Sequence, residues 1–178
     1  LPVVVHIIHN GGTENISDAR IQQGIAQLNA AFNATFGTGV NTDLQFCLAQ
    51  RDPQGLATTG ITRNQSPLTV FNMDKEDLAV KNINRWNPSC YINIWVVAAI
   101  NSTSSGNGVV GYAYFPSAHG SAVDGIVMEA AYLGSSQANT GVLVHEIGHY
   151  LGLYHTFRGG CGNGDCLLQG DRVCDTPP

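Results

Sequence analysis

Two histidines four residues apart, His145 and His149, with Glu146 directly after the first, are the side chains in this sequence best suited to chemistry. On a helix, positions four apart share one face, so both imidazoles can reach a single metal ion. A third imidazole from the next turn would crowd the first two. Gly152 lets the chain leave the helix sharply, because without a β-carbon it tolerates positive φ, and His155 can then approach the ion from another direction. Three neutral imidazoles leave one position open for water, which separates a catalytic zinc site from a closed structural one. The ion lowers the pKa of that water from about 16 toward about 7. Glu146 stands where a general base would take the water proton and pass it to a leaving group, while the ion polarises the attacked carbonyl. The bland alternative is an amphipathic helix with two partly exposed histidines. By chance the five-residue pattern arises in about one such sequence in two hundred, and adding Gly152 and His155 takes that to the order of 10⁻⁵.

These side chains need a helix beneath them, and the pattern predicts one from about Ser136 to Leu151, stopping at Gly152. Upstream, Pro2–Ile8 is β-branched and nearly continuously apolar, as expected of a strand covered on both faces. Ser17 or Asp18 can cap a helix whose apolar positions Ile21, Ile25, Leu28, Ala31 and Phe32 recur at helical spacing, ending near Phe36-Gly37. Asp43–Ala49 alternates as a second strand, followed by an Asp52-Pro53-Gln54-Gly55 turn. Residues 55–75 look irregular, and a short helix is expected around Lys75–Asn84. Tyr91–Ala99 reads as a buried strand, Ser102–Gly108 as a loop, and Val109–Phe115 and Gly125–Glu129 as two further strands. This order suggests an α+β layer with helices on one side of a mixed sheet.

At 178 residues and 43% hydrophobic content the chain can bury one core. A formal charge of -5, with only 8 Lys and Arg, gives no basic footprint for nucleic acid. No apolar run has the roughly 18 residues of a membrane-spanning helix. No positively charged leader is present, so a signal peptide is expected to have been removed upstream of Leu1. The 5 cysteines lack C-x-x-C spacing, and the composition favours an oxidising, extracellular compartment. Cys47 and Cys90 are expected either to form a bridge or to be two buried thiols, and the odd count points to a cysteine partner beyond Pro178. His6, inside an apolar strand, is expected to be a hydrogen-bonded core residue. His9 and His119 receive no function, and Trp86 and Trp95 are read as core aromatics.

The segment His145–His155 carries H-E-x-x-H-x-x-G-x-x-H, the signature of the metzincin clan of zinc endopeptidases. With Thr156-Phe157, Gly159-Gly160-Cys161 and Gly170–Pro178 it resembles the pappalysin family within that clan, and Tyr91–Val96, Gly111–Pro116 and Asp124–Val127 resemble that family's strands. The resemblance implies a metzincin-like domain: a twisted five-stranded mixed sheet, a backing helix and the zinc helix in an upper subdomain (1–152), with a lower subdomain starting at 153–178. It implies a secreted zinc endopeptidase, made as a latent precursor, that hydrolyses internal peptide bonds, with Zn²⁺ on His145, His149 and His155 and Glu146 as base. It implies a protein or peptide substrate bound in extended form along an edge strand, placed at Gly111, Tyr112 and Ala113; the alternative is a plain edge strand. It implies Ca²⁺ near Asp171, Asp175 and Thr176; the alternative is a solvated acidic loop. Metzincins also place a methionine turn and a tyrosine downstream of the third histidine. Here Met73 and Met128 both precede His155, so the lower subdomain is expected to be incomplete, and the activity expected of the enzyme is not carried over to residues 1–178 alone. A metal-loaded binding module without chemistry is the competing class, and the presence of Glu146 argues against it.

Overall fold

Pro2–His9 forms strand β1, with all of Val3–Ile8 buried. A strand can be apolar on both faces only when both are covered, and β-branched residues fit that pleated setting. The computed structural model describes residues 1–35, 40–106, 108–135, 141–160 and 165–174. After β1 come α1 (Asp18–Phe32), β2 (Cys47–Leu48), β3 (Ile61–Gln65), β4 (Val70–Asn72), α2 (Met73–Lys81), β5 (Ile92–Val97) and β6 (Ala99–Asn101). β7 (Gly111–Ala113), β8 (Ile126–Glu129) and α3 (Gly141–Tyr150) follow.

The main sheet runs β2-β1-β5-β8-β7, with β3 sharing the outer side of β1 with β2. It is therefore five positions wide but built from six strands. Every pair is parallel except β7 with β8, which makes the sheet mixed and leaves β7 at its edge. β4 and β6 form a separate parallel pair.

Alternate side chains of the central strands feed two layers. Val3, Val5, Ile7, Ile94, Val96, Ile126 and Met128 pack with Ile21, Ile25 and Leu28 of α1 and with Leu143 and Ile147 of α3. Burying each such aliphatic side chain contributes about 1.5–3 kcal/mol. Ile8, Trp95, Val97 and Val127 face Phe71, Val80 and Ile100 on the opposite side. The zinc-motif helix is thus seated on the sheet by its apolar face. Among the described residues no helix is long and apolar enough to cross a membrane.

Several boundaries differ from expectation. α1 stops at Phe32, ahead of Phe36-Gly37, which lie outside the described residues. Ala34 adopts φ +55°, and the Ala34 and Thr35 amides bond back to Ala31 and Ala30, closing the helix without the usual glycine. Only Cys47–Leu48 of the Asp43–Ala49 run pairs as a strand. The Asn29 side-chain amide donates to Phe46 O and its Oδ1 accepts from Phe46 N, so that backbone is satisfied without a ladder. Residues 55–75 are not irregular: they contain β3, β4 and the first turn of α2, which begins at Met73 and ends at Lys81. Cys47 and Cys90 are neither bridged nor buried; both are exposed free thiols. A disulfide instead joins Cys166 and Cys174. Cys161 and the 136–140 start expected for the zinc helix lie outside the described residues.

His6 is a core residue, fully buried, and it ties three strands together. Its Nε2–H donates to Asn93 Oδ1 on β5 at 2.9 Å, and its Nδ1 accepts from the Thr62 hydroxyl on β3 at 2.8 Å. Trp86 and Trp95 are buried around it, their ring centroids 6.2 and 5.4 Å from the imidazole. Burial lowers the His6 pKa from 6.5 to about 4, against the opposing pull of Asn93. The unfolded chain therefore takes up a proton before the folded one. The stability from neutral His6 is complete above pH 6.5 and declines as pH falls toward 4, by up to about 3 kcal/mol. Urea midpoints measured from pH 7 to pH 4 are expected to fall more steeply for the wild-type chain than for His6→Gln. Equal slopes would show that His6 does not drive the loss.

Candidate metal centre and active site

His145 and His149 lie four apart on α3, and the turn after the helix brings His155 to them. Their Nε2 atoms form a near-equilateral triangle: 3.0 Å from His145 to His149, 2.9 Å from His149 to His155 and 3.0 Å from His155 to His145. Atoms so close can all stand about 2.0–2.1 Å from one ion, the usual zinc–imidazole distance. Among the described residues this is the one group of three His, Cys, Asp or Glu side chains near enough to share a metal.

The turn that delivers His155 also sets the proton on His149. Gly152, at φ +105°, sends its amide to His149 O at 2.9 Å, and Leu153 N bonds Gly148 O at 2.9 Å. This is a Schellman closure of the helix. It places Leu153 O 2.7 Å from His149 Nδ1. A carbonyl can only accept, so the ring proton sits on Nδ1 and Nε2 presents a lone pair to the other two rings. Burial, together with neighbouring His149, lowers the pKa of His145 and of His155, which favours their neutral, ligating forms. Nothing in the residue types announced Leu153, because its contribution is a main-chain carbonyl.

Glu146 is buried on the sheet side of α3, and burial pushes its carboxyl up to about 7. It stands against β7. A β-carbon at Gly111 would come within 3.1 Å of Val142 Cγ1, 3.2 Å of Glu146 Cγ and 3.3 Å of Glu146 Oε1, so the strand approaches the acid closely because that position is glycine. Tyr112 and Ala113 continue the strand, which among the described residues pairs with β8 alone.

Two clefts flank the histidines. One of about 370 Å³ is lined by Val144, His145, His149, Leu153, His155 and Phe157, the last stacked on His155 at a centroid distance of 4.8 Å. The other, about 240 Å³, lies between Phe115, Tyr154 and Arg158. Of the three residues named for calcium, Asp171 accepts the Val173 amide at 3.0 Å in the segment closed by the Cys166–Cys174 bridge. Asp175 and Thr176 lie outside the described residues.

Residues 74–178 match the family Peptidase_M43, described as pregnancy-associated plasma protein-A. An extracellular metalloprotease of Pyricularia oryzae is 33% identical over 183 residues, covering 97% of this chain and 54% of its own length. One from Verticillium alfalfae is 32% identical over 163 residues, covering 83% of this chain and 54% of its own. The chain thus spans about half the length of these curated relatives. Mature mirolysin of Tannerella forsythia, solved with a cleaved peptide, superposes with a TM-score of 0.81 at 30% identity, over 99% of this chain and 70% of that one. A promirolysin mutant from the same organism gives 0.79 at 31% identity. The α+β architecture is therefore the metzincin fold.

The two glycines of the motif have opposite requirements. A β-carbon at Gly148 meets nothing closer than Leu153 Cδ1 at 3.7 Å, so Gly148→Ala is expected to stabilise the metal-free chain by about 0.5–1 kcal/mol. At Gly152 the positive φ makes alanine cost about 1–2 kcal/mol. Urea unfolding of both variants checks this; equal effects would show that the turn does not depend on glycine.

Proposed function

We propose that this chain, which belongs to the pappalysin family of zinc metalloendopeptidases, is the zinc-binding part of a secreted enzyme that cuts internal peptide bonds of proteins. The observation that carries the proposal is the convergence of three imidazole Nε2 atoms within 3.0 Å of one another beside the buried Glu146. His145, His149 and His155 would hold the zinc. When bound, zinc supplies Lewis acidity, making a coordinated water nucleophilic near neutral pH and polarising the scissile carbonyl.

The remaining steps belong to the chain itself. Glu146 takes the proton of the attacking water and returns it to the leaving amine. The open edge of β7, at Gly111, Tyr112 and Ala113, pairs with the main chain of an extended substrate and holds it along the site. Mirolysin was solved with a cleaved peptide, which supports a peptide as the ligand class here. The extracellular relatives support secretion. Residues 1–152 act as an upper subdomain and 153–178 begin a lower one. A Ca²⁺ ion on Asp171, Asp175 and Thr176 rests on the family resemblance and the hardness of their oxygen donors.

In the full-length zinc-loaded protein, Glu146→Ala is expected to lower kcat on a denatured protein substrate by about 10²- to 10⁴-fold while retaining one zinc per chain. Removing zinc with a chelator should abolish cleavage, and adding it back should restore it. Undiminished cleavage by the Glu146 variant would remove that residue from the mechanism.

A further inference from the structure

Strand β7 is 3 residues long and, among the described residues, is paired on one side only. So short an edge strand gets little order from its own ladder. Its two faces are held by side chains instead. On one face Gly111 lies against Val142 and Glu146 of α3. On the other, the Tyr112 hydroxyl donates to Asp77 Oδ1 on α2 at 2.5 Å, bridging 35 residues of sequence.

Asp77 is itself paired with Lys81 one turn along α2, at 2.9 Å, and the Lys81 side chain is fully buried. The ammonium also donates to Val123 O at 2.6 Å and lies 5.3 Å from the Tyr112 ring centroid and 4.2 Å from that of Tyr114. The same helix grips the segment leading into β7. Asp74 accepts from Thr103 N at 2.6 Å, Thr103 Oγ1 at 2.9 Å and Ser104 Oγ at 2.6 Å. A buried ion pair contributes little stability that apolar side chains of the same size would not supply. It does give Tyr112 a charged, directional acceptor, and such bonds are shorter and more exacting in geometry than neutral ones.

We propose that Tyr112, Asp77 and Lys81 are positioning residues for peptide hydrolysis: they fix the open edge of β7 beside Glu146 and so govern how well an extended substrate is held. This rests on β7 being the strand that receives the substrate. Burial and the Asp77 charge raise the Tyr112 pKa, so its hydroxyl remains a donor across the working pH range. The network acts through the strand and touches no reacting atom.

The test is Tyr112→Phe in the full-length zinc enzyme, a change that removes one oxygen and leaves the Asp77–Lys81 pair in place. With an extended peptide of about eight residues, KM is expected to rise about tenfold with kcat within about twofold and zinc content unchanged. Amide exchange at Tyr112, the β7 amide in register with Val127 of β8, should quicken at least about tenfold while Ile126–Glu129 stays protected. Unchanged KM, or a fall in kcat at constant KM, overturns the positioning role. So does unchanged exchange at β7, which is read without turnover. A wild-type enzyme that cleaves no peptide would instead count against the peptidase assignment, and exchange would still decide whether Tyr112 holds the strand.

Discussion

The bond from His149 Nδ1–H to the Leu153 carbonyl, 2.7 Å long, is the contact on which the site turns. It fixes which ring nitrogen carries the proton, and so leaves Nε2 as a lone pair aimed at His145 and His155. His145 and His155 bring their own Nε2 atoms to within 3.0 Å of it, an arrangement that one cation can bridge. The bond exists because Gly152 turns the chain through positive φ, which closes the helix and swings both Leu153 and His155 back over it. One backbone conformation therefore ends α3, orients its second histidine and supplies the third. The convergence of the three imidazoles follows from that turn together with the four-residue helical spacing.

The rest of the fold keeps this assembly at a fixed distance from the edge strand β7. Leu143 and Ile147 seat α3 on the same sheet face as α1, within one continuous core. Glu146 is drawn inward with them, and Gly111 lets β7 approach it without a side chain between. On the far face, α2 fastens the same strand through Tyr112. Glu146 and the edge proposed to carry the peptide are thus held by two helices on opposite sides of one short strand.

Some of this is legible in the amino-acid sequence and some is not, for physical reasons. β1 and β5 stand out because their residues are buried on both faces, which demands unbroken apolar runs. His145 and His149 stand out because helical geometry forces a fixed spacing on two side chains that share an ion. β3, with sequence Ile-Thr-Arg-Asn-Gln, carries no apolar alternation: it lies on the outer side of β1, partly exposed, and is recognised only through its partner. The early end of α1 depends on Ala34 in a conformation that favours glycine, so no residue marks it. The Asn29 clasp on Phe46, the Leu153 carbonyl and the Tyr112–Asp77–Lys81 network are tertiary, formed between residues whose separation in sequence has no period. Cys47 and Cys90 invited pairing through a composition that favours an oxidising compartment, but both are exposed free thiols.

The central claim is that three imidazoles share one zinc ion whose remaining position belongs to solvent. X-ray absorption at the zinc edge of the metal-loaded protein addresses it directly. The expected first shell is three imidazole nitrogens at about 2.0–2.1 Å and one light oxygen scatterer. A sulfur scatterer at about 2.3 Å, or a fourth imidazole in place of the oxygen, would contradict it.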